Sequence, residues 1–319
     1  MPEAVRGSIP PADVAVAPAP LTRFAAAARA PFLAATLVPV LLGTAVAWSH
    51  GAFHAGWFAL ALLGALLVHV GTNTANDYFD HRSGADAAGA PAPFTAGGRS
   101  IRSGSASPAS VGRIAVATFA LAIALGIFLA WQRGWQLLWL GIGGLALAVF
   151  YTTPPLNLAS RGLGELAVAL GFGPCMVLGA YFVQTQRFDL EPLVASIPLA
   201  ALIAAVLYVN EFPDHRSDAS VGKRTLVVRL GVDAARWGYY GLIALAFVAV
   251  VVGVALRLLP APALLALLAL PLAAGAVRAF ARSWRDPARL APVTARTVFL
   301  HLGSGALLAA GYVLAGALR

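Results

Sequence analysis

The chain has 319 residues, of which 60% are hydrophobic and only 11% charged, with a formal net charge of +9 and a mean hydropathy of +0.80. A soluble domain carries about 25% charged residues, so this chain lacks the polar surface to be one. Cys175 is its single cysteine, which excludes a disulfide framework and a Cys-based metal site.

Residues 1–22 are rich in Ala and Pro and have no compact apolar segment of the signal-peptide kind. They predict a disordered cytoplasmic tail, followed by one transmembrane domain over 23–319. Apolar blocks then recur, each about the length that crosses a ~30 Å hydrocarbon core as a helix. The blocks must be helical, because a lipid-exposed backbone has to satisfy its own hydrogen bonds. Nine spans are predicted: 31–48, 57–76, 113–131, 135–151, 164–183, 192–211, 237–256, 261–277 and 297–317. The expected fold class is an all-α integral membrane protein, a helical bundle around a cavity open to the cytoplasm and to lipid. If the spans alternate, Arg133, Arg187, Arg257 and Arg319 lie on one side, and the rest of the 22 Lys and Arg on the other. The positive-inside rule makes the richer side cytoplasmic, here in the inner (plasma) membrane. The basic excess is therefore topology and predicts no nucleic-acid partner.

Only 13 residues are acidic, and their placement is the main clue to function. Asp77, Asp80 and Asp86 fall in NTANDYFDHRSGAD, and Glu211, Asp214 and Asp218 in NEFPDHRSD. Both stretches begin at the cytoplasmic end of a predicted span, the second and the sixth. Asn73 and Asp77 are four apart, as are Asn76 and Asp80, and Asn210, Asp214 and Asp218 follow at the same interval. Residues four apart share a helix face, so each stretch presents amide and carboxylate oxygens in one stripe. Stacked carboxylates near the negative end of a helix dipole call for a cation. Magnesium fits, as a hard ion with oxygen ligands that bridges carboxylates to substrate phosphates. His81 and His215 lie in the same stretches, but there is no His pair at the spacing zinc requires.

Basic, Gly-rich sequence follows each cluster: GGRSIRSGSASP with Arg99 and Arg102, and GKRTLVVRLG with Lys223, Arg224 and Arg229. Acids followed by flexible Arg and Lys suit a metal-bridged diphosphate. Arg229, Arg236 and the arginines of 278–296 are read as topology. His69 and His301, inside spans two and nine, are expected to be packed and hydrogen-bonded. Pro213 is expected to end or kink the sixth helix beside its acids.

These segments, with YTTPPL and RGLGELAVALGFGP, resemble the UbiA superfamily of intramembrane aromatic prenyltransferases over nearly the whole chain. NDYFD with its Gly-x-Asp, and RGLGE, are most similar to the branch that prenylates 1,4-dihydroxy-2-naphthoate with loss of its carboxylate, in menaquinone biosynthesis. The resemblance implies that Asp77, Asp80, Asp214 and Asp218 hold Mg2+ and diphosphate, with Asn73, Asn76 and Asn210 beside them. Asp86 is a further implied ligand. Arg99, Arg102, Lys223 and Arg224 would contact the diphosphate of a polyprenyl diphosphate, and Tyr151 would lie near the allylic cation. Many relatives carry a basic residue four positions after this Tyr, where this chain has Pro155; the nearest base here is Arg161. The expected reaction is ionisation of the allylic C–O bond, followed by attack of an aromatic acceptor. The base is unassigned, with Glu165 and the motif aspartates as candidates, and Glu165 is equally a structural partner for Arg161. Other acceptors (4-hydroxybenzoate, homogentisate, a chlorin or haem) and an ion-coupled transporter are the alternatives. A transporter would place its acids near the bilayer midplane on broken helices.

Overall fold

The structure, a computed structural model, describes residues 30–84, 99–102 and 104–318, without the side chains of residues 30, 31 and 99. The tail expected over 1–22 and Asp86 lie outside the described residues. Among the described residues the chain is all helical. In chain order the α-helices are α1 (Ala30–Ser49), α2 (Ala55–Ser83), α3 (Arg99–Arg102), α4 (Pro108–Arg133), α5 (Leu137–Phe150), α6 (Gly164–Leu170) and α7 (Met176–Thr185). They continue with α8 (Leu190–Ser220), α9 (Leu226–Leu230), α10 (Val232–Ala255), α11 (Leu270–Ser283) and α12 (Ala291–Ala317).

Among the described residues eight helical segments are long and apolar enough to cross a membrane, so the protein is a multi-pass membrane protein. The fourth expected span, 135–151, is the 14-residue α5. At 1.5 Å per residue it reaches only about 21 Å, because the chain turns at Gly134 before it and at Tyr151 after it. The span expected over 164–183 is present as Gly164–Thr185, with α6 and α7 joined by a π turn, Gly171–Cys175, that contains Pro174. Pro lacks the N–H that continues an α ladder.

Two helices run well past their expected ends, and this matters most for the site. α2 continues seven residues beyond 76, through the whole of NDYFD, and closes at Gly84 in the left-handed conformation (φ 80°). α8 runs 31 residues through both Pro198 and Pro213 to Ser220. Pro213 therefore does not end the helix, and the DHRSD acids ride on its last turns.

Small residues set the helix packing, as expected where lipid removes the hydrophobic drive between helices. α8 is the central strut. Its Ala201, Ala205 and Phe212 pack with Tyr239 and Ala246 of α10, Phe280 of α11 and Leu300 of α12. On another side Ala195 and Leu199 join Leu42 of α1, Tyr181 of α7 and Tyr312 of α12. Trp131, Trp135 and Trp139 at one end of the bundle, and Trp237 near the other, are 58–78% exposed. Exposed indoles at both ends are the aromatic belts of a membrane protein.

Candidate active site

Between α1, α2, α4, α5, the α6–α7 segment and α8 lies a cavity of about 600 Å³. Its wall is mostly apolar; polar residues gather toward one end, where Asn73 and Asn76 of α2, Asn210 of α8 and Tyr151 after α5 line it, with His69 one turn deeper. On α2 the lining residues run from Ala61 to Asn76, about 22 Å of helix. Ile123 and Ile127 of α4 and Ile142 of α5 line the cavity and are 46–58% exposed, so the α4–α5 side opens outward. The end remote from the asparagines is braced by Arg133. Its Nε donates to Val183 O at 2.7 Å and Nη2 to Gln184 O at 3.0 Å, while the guanidinium stacks on Trp57, 5.3 Å from the ring centre.

The acidic clusters sit just past the polar end. Asp77 is fully buried, and its Oδ2 accepts from Ser100 Oγ of α3 at 3.0 Å; the segment after the first cluster thus folds back onto it. Asn76 Nδ2 donates to Asp80 Oδ2, one helical turn on. On α8, Asn210 Oδ1 accepts from Thr294 Oγ1 of α12 at 2.8 Å, which orients the amide toward the cavity. Asp214 is half-buried and Asp218 buried.

The two clusters meet at Lys223. Its Nζ is 3.5 Å from Asp218 Oδ1, and its backbone N–H donates to Asp218 O at 2.9 Å. Burial alone would lower the pKa of this ammonium, but Asp80, Asp218, Asp214 and Glu211 surround it and raise the pKa above the ordinary lysine value. Its charge therefore stabilises the fold fully below the ordinary value of about 10.4. That contribution disappears only as pH rises through the higher folded value. Among the described residues, this one ammonium stands among the carboxylates of Asp80, Asp214 and Asp218. Lys223→Met is expected to splay the ends of α2 and α8 and to lower thermal stability by about 3 kcal/mol, the cost of unpairing buried charge. Melting in detergent with and without magnesium checks this, with the ion expected to recover part of the loss.

The GKRT loop docks onto the segment after α5. Arg224 N–H donates to Ser160 O at 2.9 Å, and Arg229 Nε donates to Arg224 O at 3.1 Å. Ala159 N–H in turn donates to Tyr151 O at 2.9 Å. Gly164 packs closely here, since a Cβ there would lie 3.3 Å from the Ala159 Cα and in ordinary contact with the Tyr151 ring. YTTPPL, RGLGE and GKRT, remote in sequence, therefore form one rim. Arg224 is exposed at that rim, Arg102 is exposed on α3, whose Ser100 holds Asp77, and for Arg99 only the backbone is described.

Two expectations change. Arg161 Nη2 donates to Pro155 O at 2.9 Å, so its partner is not Glu165. The buried Glu165 carboxyl instead faces that of Glu211, which accepts from Val227 N–H at 3.3 Å. Glu211 thereby ties α8 to the start of α9. His301 is buried as expected, with Nε2 3.4 Å from Ala35 O. His69 is hydrogen-bonded too, through Nδ1 to Thr36 Oγ1 at 2.6 Å, but it also lines the cavity. Its position on the Asn73–Asp77 face of α2 was the signal for this.

Among the described residues no three acidic or His side chains close on a single point. The donors are hard oxygens shared between two helix ends, around an ammonium that already stands where positive charge is needed. Such an open set suits magnesium, which keeps water and takes substrate phosphates as ligands.

Residues 36–314 match the UbiA prenyltransferase family. A 1,4-dihydroxy-2-naphthoate octaprenyltransferase from Bacillus subtilis is 32% identical over 62% of this chain, a match that spans 63% of the relative. The Mycobacterium tuberculosis protein of the same name is 36% identical over 72% of this chain and 76% of its own. The structure of a UbiA homolog from Archaeoglobus fulgidus bound to GPP and Mg2+ superposes with a TM-score of 0.57 at 15% identity, covering 93% of this chain and 98% of that one.

Proposed function

We infer the reaction of this chain from the premise that it belongs to the UbiA prenyltransferase family: it transfers a polyprenyl group from its diphosphate to 1,4-dihydroxy-2-naphthoate, with loss of carbon dioxide, a step of menaquinone biosynthesis. The observation that carries this is the junction of a long apolar cavity with a polar end, where two acidic helix ends meet a basic loop. The relatives named for that acceptor support the choice of ring.

Asp77, Asp80, Asp214 and Asp218 would hold Mg2+, with Asp86 as a further ligand, and Asn73, Asn76 and Asn210 would bind at the diphosphate. Arg99, Arg102, Lys223 and Arg224 would meet its remaining oxygens. When bound, the metal supplies charge stabilisation to the departing diphosphate. The chain's residues do the rest. The asparagines and the GKRT loop position the leaving group with fixed donors, which need no reorganisation as charge develops. The apolar wall excludes water from the allylic cation, and the Tyr151 ring faces it. The prenyl tail lies along α2 and leaves through the α4–α5 side into lipid. The acidic end faces the cytoplasm, by the distribution of Arg and Lys.

The test is prenyl transfer by the purified protein in liposomes. Dihydroxynaphthoate, hydroxybenzoate and homogentisate would each be offered with geranylgeranyl diphosphate, with and without magnesium. A magnesium-dependent prenylated naphthol with carbon dioxide release is expected. Product only on another ring would discard the naphthoate, and no turnover with any ring would sink the reaction.

A further inference from the structure

An electron-rich phenolic ring attacks faster once its hydroxyl has given up its proton, and the reaction above leaves that proton without a named acceptor. Glu165 faces Glu211 behind the cavity wall, and the motif aspartates lie beyond the lining asparagines. Among the described residues, none of those lining the cavity is Lys, Arg, Asp or Glu; those that can ionise are His69, Tyr151 and Cys175. Of these, an imidazole has a ring nitrogen that accepts a proton and can return it, the usual chemistry of a general base.

The position of His69 is as telling as its chemistry. It lies one turn from Asn73 and two from Asp77 on the same face of α2, about 6 and 12 Å along the axis. A diphosphate held at the asparagines and aspartates puts the allylic carbon one turn deeper, at the level of His69. The ring is held there from two sides. Thr36 of α1 binds Nδ1, and Phe172 of the π turn packs edge-on at 4.9 Å. Among the described residues, Tyr151 and Cys175 share the cavity wall with it, and His301 of α12 reaches Ala35 O next to Thr36.

We propose that His69 is the general base of the transfer, taking the acceptor's hydroxyl proton on Nε2 while Thr36 holds Nδ1. This rests on the prenyl-transfer reading above. The O–H bond breaks with its electron pair left on oxygen, and the ring carbon bearing the carboxylate forms the new bond to the allylic carbon. The allylic C–O pair leaves on diphosphate. Departure of carbon dioxide returns its C–C pair to the ring, and His69 gives the proton back to the oxygen, so no net proton is consumed.

The experiment compares the full-length protein with His69→Gln and Thr36→Val in liposomes, using dihydroxynaphthoate and geranylgeranyl diphosphate with magnesium. Gln keeps a polar group in the Nε2 region but takes no proton. His69→Gln is expected to lower kcat by about 10²–10³-fold at neutral pH, the range of a general base, with magnesium-dependent prenyl diphosphate binding within about threefold of wild type. Its rate should then climb about tenfold per pH unit toward the acceptor's own ionisation, while the wild type stays nearly flat. Thr36→Val is expected to lower kcat about tenfold with the prenyl diphosphate KM unchanged. Wild-type kcat in His69→Gln, or a loss that is equal at every pH with donor binding intact, overturns the proposal. If His69→Gln binds no donor because it is misfolded, Thr36→Val decides alone, and an unchanged kcat there overturns it. A wild type that prenylates no phenol refutes the reaction itself, whereas wild-type turnover with an unaffected His69→Gln refutes only the role of His69.

Discussion

Asp77→Asn and Asp214→Asn are each expected to lower kcat/KM for prenyl transfer by about 10³-fold or more, the scale of losing a preorganised stabiliser of transition-state charge. Asp77 is fully buried on the second-last turn of α2, held by Ser100 and one turn from Asn73 at the cavity. Asp214 lies one turn past Asn210 on the opposing helix. Neutralising either removes a hard anionic oxygen from a locus whose only nearby ammonium is Lys223, so magnesium should be bound more weakly and the diphosphate left without its counter-charge. Kinetics at rising magnesium distinguish the two helices' contributions. A partial recovery at high magnesium is expected for Asp214→Asn, because Asp214 is half-exposed, and none for Asp77→Asn. Ser100→Ala, which leaves the carboxylate but frees it, should cost only about tenfold. Asp286→Asn, on an exposed turn remote in sequence from both clusters, serves as the control and should stay within about twofold. Near-normal turnover in Asp77→Asn at low magnesium would remove the acidic helix ends from the mechanism.

The second large effect concerns the packing that builds the cavity. Gly43→Val is expected to destabilise the bundle by about 3 kcal/mol or more, beyond the usual cost of overpacking, and to leave little folded protein after extraction. A Cβ on Gly43 would sit 2.2 Å from the backbone oxygen of Val177 and 2.9 Å from the Ala180 Cβ. Neither neighbour is a flexible side-chain tip, so α1 and α7 would have to separate. Val40 of α1 and Ala180 of α7 both line the cavity, so the same separation would distort the wall facing Gly179 and Val183. Gly275→Ala on α11 is the matched control: nothing lies within 4 Å of a Cβ there, and Ala favours helix over Gly by about 1 kcal/mol. Thermal melting in detergent should show a large drop for the first and no drop for the second. Equal melting of Gly43→Val and wild type would mean that the α1–α7 crossing is looser than described.

The membrane class, the helical content and the residue types of the candidate site were legible in the sequence, for a common reason. Hydropathy blocks and i, i+4 spacing are local properties, and lipid leaves the backbone almost no alternative to the helix. That is why the Asn73–Asp77 and Asn210–Asp214–Asp218 stripes could be placed on helix ends before their surroundings were known. The boundaries were less legible. α2 and α8 outrun their apolar blocks because the polar turns of NDYFD and DHRSD still satisfy their backbones, and because Pro213 forfeits only one ladder bond. The π turn at Gly171–Cys175 within the fifth span is equally a matter of backbone geometry that hydropathy does not register.

Partnership was decided only by the tertiary structure. Nothing local tells Glu165 to face Glu211 rather than Arg161, tells Lys223 to sit among acids from two helices, or turns His69 to a cavity wall. Each outcome depends on which helices cross, and the crossings are set by close contacts such as Gly43 on Val177 and Gly173 on Ala200. The sequence by itself determined that this chain lives in a membrane as helices with oxygen-rich ends. Only the packing of those helices, a cooperative property of many small residues at once, decided which oxygens, which ammonium and which imidazole share one site.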